Sequence, residues 1–378
     1  MTGPTRRALL GSAAALAFAR PALAAGGDLA DLEPAVAEMI DERRVPSLSL
    51  AVIDGAAIAT LAVGRSGRAD GEAVTPRTLY QAASISKTAA AATVLAVAQT
   101  GVVDLDADVR SYLTRWRLPP SPLLDGGAPV SFRRLLGMTA GIGVPGFAGY
   151  GPGEAVPDLV QILDGTPPAT SPPVTVVAPP GRQFLYSGGG YEIAEAALED
   201  ATRQSFATLF RGLVQAPCDL GDSLMEQPLP GSQAAAAAVG HREDGTPLDG
   251  GARTMPELAA AGLWSTPRDL ALLLAALSDS WRGTRRPLLD GPRIRAMFAP
   301  VDGFSYGLGG AVAGTGEVLT LQKRGQNIGF QSYLALYPAT GQGAVMMTNG
   351  DRGNEIAAVL MPALAARYGW PAFPGIID

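Results

Sequence analysis

Lysine is nearly absent from this chain. Its 378 residues hold only two, Lys87 and Lys323, against twenty-seven arginines, together with one cysteine, Cys218, and one histidine, His241. Each scarcity excludes something. A single cysteine forms no intramolecular disulfide, so stability must come from a packed core, and Cys218 reads as inert. One cysteine and one histidine do not assemble a zinc site of the Cys/His type, and no spaced carboxylate cluster points to another metal or to a cofactor. The lone histidine also leaves little for a Ser-His-Asp triad. His241 lies in a polar, turn-like run, Val239-Gly240-His241-Arg242-Glu243-Asp244-Gly245, and no G-x-S-x-G elbow occurs. A net charge of -6 offers no basic face for nucleic acid or an anionic membrane.

The shortage of lysine is also a pointer. Arginine serves as the solvent-facing cation almost everywhere, so the two lysines mark places that need a cation able to lose its proton, which a guanidinium effectively cannot do.

What the chain has in quantity is core-forming material, 47% hydrophobic against 17% charged, enough for one large or two intermixed domains. Residues 1–24 read as an export signal: Arg6-Arg7, an apolar run to Ala19, then Ala22-Leu23-Ala24 as a small-residue cleavage site. The paired arginines favour the twin-arginine route, and the run is too short to span a bilayer. The expectation is cleavage after Ala24 and a periplasmic or extracellular protein with no stable membrane insertion.

Beyond the signal, Asp28 to Glu42 has helical apolar spacing, stopped near Pro46. Leu48–Ile53 and Ala57–Val63 are apolar runs around Asp54-Gly55, the pattern of a hairpin. Ser84 to Thr100 predicts a long helix, apolar or small on almost every side, ended by Gly101; such a helix belongs in the middle of a domain. Residues 141–181, rich in proline and glycine, predict a long loop or lid with a helical turn only at Pro157–Leu163. Helices are expected at Tyr191–Ala201, Ser205–Val214 and Arg268–Leu277, the last announced by Thr266-Pro267-Arg268-Asp269.

Near the C-terminus, Ser305–Val312, Glu317–Lys323, Phe330–Tyr337 and Gly343–Thr348 are strand-like and so tightly joined that they must run antiparallel. A final helix, Asn354–Tyr368, is expected to bend at Pro362. The fold class is therefore α+β: an antiparallel sheet built from residues 25–80 and 291–378 and flanked by helices, with a mostly helical lobe, 81–290, inserted between.

Three short motifs carry candidate chemistry. In Ser84-Ile85-Ser86-Lys87, one helical turn puts Ser84 and Lys87 on the same side, and a helix start leaves backbone N–H groups free to hold an oxyanion. A serine hydroxyl needs a base. An ordinary lysine, with a pKa of about 10.4, would be a free amine at pH 7 in only about 0.04% of molecules, so Lys87 must be shifted by burial and neighbouring positive charge. In Tyr186-Ser187-Gly188, Tyr186 is an alternative base, or the shuttle to the leaving group. In Lys323-Arg324-Gly325, placed at a strand's end, alternation sends Lys323 and Arg324 to opposite faces. Gly325 lets the backbone approach a ligand, and the N–H of Gln326 is then a second oxyanion donor.

These motifs, with Thr78 to Thr88, Asp104-Leu105-Asp106, Leu135 to Gly141, Gly262 to Leu270 and Asn327-Ile328-Gly329-Phe330, resemble the serine beta-lactamase and penicillin-binding protein superfamily, closest to class C-like serine hydrolases. The resemblance runs from about residue 30 to the C-terminus. It implies a beta-lactamase/transpeptidase-like fold of two lobes with the active site between them. It further implies acylation of Ser84, proton handling by Lys87 and Tyr186, support from Lys323, and an oxyanion hole of the Ser84 and Gln326 N–H groups. Three positions depart from the pattern: Gly188 where relatives often carry asparagine, Arg324 in place of a small threonine or glycine, and Met138 where histidine is frequent.

The function expected is that of an exported serine hydrolase acting on a small-molecule or peptide ester or amide, an esterase or D-amino-acid peptidase rather than an efficient beta-lactamase, with Gly188, Arg324, Gly325 and Gln326 beside the substrate. The rival readings are a penicillin-recognising sensor that acylates without turnover and an inert structural relative.

Overall fold

Strict alternation along a few strands organises the molecule. The computed structural model describes residues 28–284 and 287–377, so the expected export signal lies outside the described residues. Six strands, β1 (Ser47–Asp54), β2 (Ala57–Gly64), β3 (Ala311–Ala313), β4 (Thr320–Asn327), β5 (Phe330–Tyr337) and β6 (Gln342–Thr348), form one sheet. Their order is β2-β1-β6-β5-β4-β3, and every neighbouring pair is antiparallel. β1 is buried at every position but its last because both of its faces are covered. Leu48, Leu50 and Val52 enter one core with Tyr333, Ala335 and Met346, while Ala51 and Ile53 enter the other with Leu334, Val345 and Met347.

Six helices cover this sheet or position the site: α1 (Glu33–Glu42), α2 (Ser86–Gln99), α3 (Gly188–Thr202), α4 (Leu258–Ala261), α5 (Pro267–Arg282) and α6 (Gly353–Tyr368). α1 and α6 cover one face of the sheet and α5 the other. α5 thus packs on β1 and β6 although it falls within the 81–290 stretch expected to form the helical lobe. Its start is as the sequence indicates, Thr266 accepting the Asp269 N–H at 3.1 Å. α2 is buried from Ser86 through Ala98. With no face left for solvent, it stands at the centre of the main core, against α3, α4 and the segment at 211–215.

Several boundaries differ from expectation, each for a local reason. Residues 305–310 do not join a strand. Gly307, Gly309 and Gly310 interrupt the run, Gly309 has φ +93°, and β3 starts only at Ala311. Glu317 lies in a 3-10 turn at 316–318, and β4 instead continues to Asn327, so Lys323-Arg324-Gly325 sits within a strand rather than at its end. α6, with Pro362 inside it, starts one residue before the expected Asn354. The stretch 205–214 is a short helix, Phe206–Phe210, continued by a π turn at 211–215. The expected loop at 141–181 carries one short helix, Leu159–Asp164, with a capping box of Asp158 and Gln161. Among the described residues, no helix is long and apolar enough to cross a membrane.

Candidate active site

The nucleophile candidate sits at a constrained turn. A 3-10 turn, Ala83–Ile85, precedes α2, and Ala83 has φ +50°, a left-handed conformation that is uncommon for a residue with a side chain. Such a conformation persists only where its surroundings enforce it. Here β4 does so. A Cβ on Gly325 would run into the Ala82 carbonyl oxygen and approach the Ala83 methyl at 3.1 Å, so only glycine lets the strand lie against the turn. Ser332 Oγ, on the neighbouring strand, donates to the same Ala82 carbonyl at 2.8 Å.

Two further candidates meet at Ser84, Lys87 from the same motif and Tyr186 from a distant one. Lys87 Nζ lies 3.1 Å from Ser84 Oγ, and the Tyr186 hydroxyl donates to the same oxygen at 3.0 Å. Lys87 is 2% exposed and also donates to the Ala260 carbonyl at 2.8 Å. Lys323 is likewise buried, its Nζ 4.8 Å from the centroid of the Tyr186 ring. The Lys87 ammonium is 5.3 Å from that ring and 5.5 Å from the Tyr191 ring. Burial holds the Lys87 pKa below the usual lysine value and the Lys323 ammonium adds to this, while Tyr186 and Glu192 oppose it. The pull is in the direction a lysine base requires.

Alternation on β4 places the remaining candidates. Lys323 and Gly325 point inward and are buried, whereas Arg324 and Gln326 are exposed. Ser84, Lys87, Tyr186, Arg324 and Gln326 line one hollow of about 470 Å³. Pro145, Phe147 and Phe184 give that hollow an apolar wall, and Asn327 and Asn354 add polar groups.

Gly188 lies at the N-terminus of α3, behind Ser187, whose Oγ accepts the Gly190 N–H at 2.9 Å. A Cβ at Gly188 would come within 2.9 Å of the Phe147 ring, so the volume a larger residue would fill is taken by that ring. Met138 also gains a role that its place in the sequence does not reveal. With φ +61°, it accepts the Ser187 N–H on its sulfur at 3.2 Å and the Leu185 N–H on its carbonyl at 2.8 Å. Both contacts fix the segment that carries Tyr186.

His241 is not brought to this hollow. It is 7% exposed, its Nδ1 lies 2.8 Å from the Val239 carbonyl oxygen, and its ring packs on Gly67. Cys218 is buried, and burial pushes its thiol up to about 12, far from a reactive thiolate.

Comparison with known proteins bears on the family and the fold. Residues 32–367 match the family model described as Beta-lactamase. Among solved structures, an octameric penicillin-binding protein homologue from Pyrococcus abyssi superposes with a TM-score of 0.72 at 22% identity, over 90% of this chain and 77% of that one. A class C beta lactamase from Rhodobacter sphaeroides gives a TM-score of 0.64 at 18% identity, over 88% and 99%. SurE, solved with D-Leu, gives 0.69 at 24% identity, over 89% and 74%. At these identities the structural likeness establishes a shared fold.

Proposed function

The chain belongs to the beta-lactamase family, and from that premise we propose that it is an exported serine hydrolase that cleaves an ester or amide through an acyl-enzyme at Ser84. One observation carries the reading: the Ser84 hydroxyl is bonded at once to Lys87 and Tyr186, two groups that can each exchange a proton with it. In this mechanism Ser84 Oγ attacks the carbonyl carbon and gives its proton to Lys87 or Tyr186. The tetrahedral oxyanion is held by the backbone N–H groups of Ser84 and Gln326. Tyr186 then returns the proton to the leaving alcohol or amine, and the same pair activates the water that frees the acid. Each oxyanion donor is worth about 2.7 to 4 kcal/mol in such reactions. The proton returned matches the proton removed, so the cycle consumes only water.

The shape of the hollow guides the choice of substrate. An asparagine amide at position 188 is absent, and the Phe147 ring occupies its space, which favours an apolar acyl group over the polar amide side chain of a beta-lactam. Arg324 and Asn354, both lining the same hollow, suit a carboxylate or another polar acceptor at the far end of the substrate. Esters and D-amino-acid amides fit this combination. A Yersinia pestis relative of the same fold is described as a beta-lactamase/D-alanine carboxypeptidase, and SurE was solved with D-Leu.

The test is time-resolved intact mass after mixing with p-nitrophenyl esters, D-alanyl peptides and a chromogenic cephalosporin. A transient adduct on Ser84, lost in Ser84→Ala, is expected with the esters or D-peptides. An adduct that never clears would make the protein a sensor instead, and no adduct with any of the three would refute the acyl-enzyme.

A further inference from the structure

Three carboxyl groups are buried together beside the Lys87 site: Glu192 and Glu195 on α3, and Glu257 immediately before α4. The elements that carry them pack on one another and on α2. Glu192 and Glu195 are one helical turn apart, and each reaches the backbone of α4. Glu192 Oε1 accepts the Ala260 N–H at 3.2 Å, and Glu195 Oε2 accepts the Ala259 N–H at 2.8 Å. Ala260 is also the residue whose carbonyl accepts from Lys87 at 2.8 Å. One residue therefore has Glu192 on its N–H and the candidate base on its C=O. The other oxygen of Glu192 and both oxygens of Glu257 have no hydrogen-bond partner on another described residue.

A buried carboxylate without full hydrogen bonding is costly in its charged form, and three in one dry volume repel each other. Lys87 and the two other carboxyls face Glu192, Tyr186 and Lys323 face Lys87, and Glu199 and Arg115 face Glu195. Burial first, then the neighbouring carboxyls, push Glu192 well above the ordinary carboxylate range, opposed by the Ala260 N–H and by Lys87. Burial and the neighbouring carboxyls favour the protonated form of the carboxyl, and the Ala260 N–H and Lys87 favour the charged one.

We propose that Glu192 is a positioning residue for the Ser84 reaction: by holding the Ala260 N–H it fixes the residue whose carbonyl accepts from Lys87, and its charge sets the pH at which Ser84 can be deprotonated. The inference rests on the acyl-enzyme reading of the site. With one proton between them, Lys87 and Glu192 are either an ammonium facing a carboxylate or a neutral amine facing a neutral acid. Only in the second form is the amine free to accept from Ser84.

The experiment measures the rate of Ser84 labelling by a fluorophosphonate probe against pH, using the full chain and the variants Glu192→Gln, Glu192→Leu and Glu257→Gln. Glutamine keeps an acceptor for the Ala260 N–H but carries no charge. Removing a negative charge eases proton loss from either Lys87 or Tyr186, so the rising limb of the profile should move to lower pH. In a medium of effective dielectric constant about 20, a unit charge on a neighbouring side chain shifts a pKa by on the order of one unit, which sets the expected displacement.

Leucine removes the acceptor as well, and its plateau rate should fall at least about tenfold, in a loss that glutamine rescues. Glu257→Gln leaves the Ala260 bond untouched and should move the limb in the same direction, which keeps the test decisive if the Glu192 variants do not fold. Superimposable limbs for wild type and both glutamine variants would overturn the inference while leaving the acyl-enzyme intact. Failure of the wild type to label at any pH would instead overturn the acyl-enzyme reading itself.

Discussion

Glu257→Gln should stabilise the protein in alkaline solution and do little in acid. Glu257 is 0% exposed, and burial raises its pKa from the ordinary 4.5 to about 7. A raised carboxyl pKa means that the folded state binds the proton more tightly than the unfolded chain does. Between those two pKa values the folded protein holds more protons, so stability falls as pH rises through the window and stays low above it. At 1.36 kcal/mol per pH unit, the interval from 4.5 to about 7 corresponds to about 3 kcal/mol lost on passing from low pH to pH 8.5. Glutamine fills nearly the same volume without titrating and escapes that loss. For roughly 350 ordered residues the entropy of unfolding is about 0.7 kcal/mol/K, so the gap in Tm between variant and wild type should widen by about 3 to 4 °C between pH 5 and pH 8.5. Differential scanning fluorimetry of both proteins at the two pH values reads this directly. A gap that does not change with pH, or that narrows towards pH 8.5, refutes the assignment of a buried, uncompensated carboxyl at this position.

Two further outcomes are expected, one at the site and one away from it. Lys87→Arg keeps a cation of similar length but replaces an amine that can deprotonate with a guanidinium that cannot, so kcat/KM on a p-nitrophenyl ester should fall by roughly 10^3-fold in a protein that still folds; retention of activity within tenfold would remove Lys87 as the base. His241→Ala should cost about 1 to 3 kcal/mol in urea unfolding, because the ring is buried and bonded to the Val239 carbonyl. Its activity per folded molecule should stay within about threefold, and its loss would return the histidine to the mechanism.

How much of the molecule is legible in the sequence depends on whether a feature is local. The hairpin around Asp54-Gly55 and the spacing of Ser84 and Lys87 are set by neighbours in the chain, and the structure places them as expected. The approach of Tyr186 to that turn, with Lys323 against the Tyr186 ring, is a long-range property, reached through the motifs and their resemblance rather than through periodicity. β4 runs further than expected because a glycine in a strand pattern suggests a terminator. Gly325 instead serves a close approach within the strand, where the missing Cβ admits the Ala82 carbonyl. In Ser305–Val312 the discrepancy is the reverse, since the apolar and aromatic residues suggest a strand and three glycines break the ladder.

Glu192 and Glu195 are hidden for a different physical reason. On a helix, acids at positions i, i+3 and i+7, here Glu192, Glu195 and Glu199, normally mark the solvent face. Only Glu199 behaves as that rule expects, pairing with Arg115 at 2.7 Å near the surface. The other two are covered because Tyr191, Ile193, Ala194, Ala196, Ala197 and Leu198 fill the remaining faces of α3, so the helix is buried all round. A helix that is apolar wherever it is not acidic has no wet side to offer its acids, and that composition is the signal the sequence carries. It places the cost of burying carboxyls next to the one lysine that must lose a proton. Packing gives no reason for that cost, since an apolar side chain would fill the same space without it. The coupling of Glu192 to Lys87 through Ala260 supplies a functional one, because the same carboxyl that strains the core holds the N–H of the residue whose carbonyl supports the base.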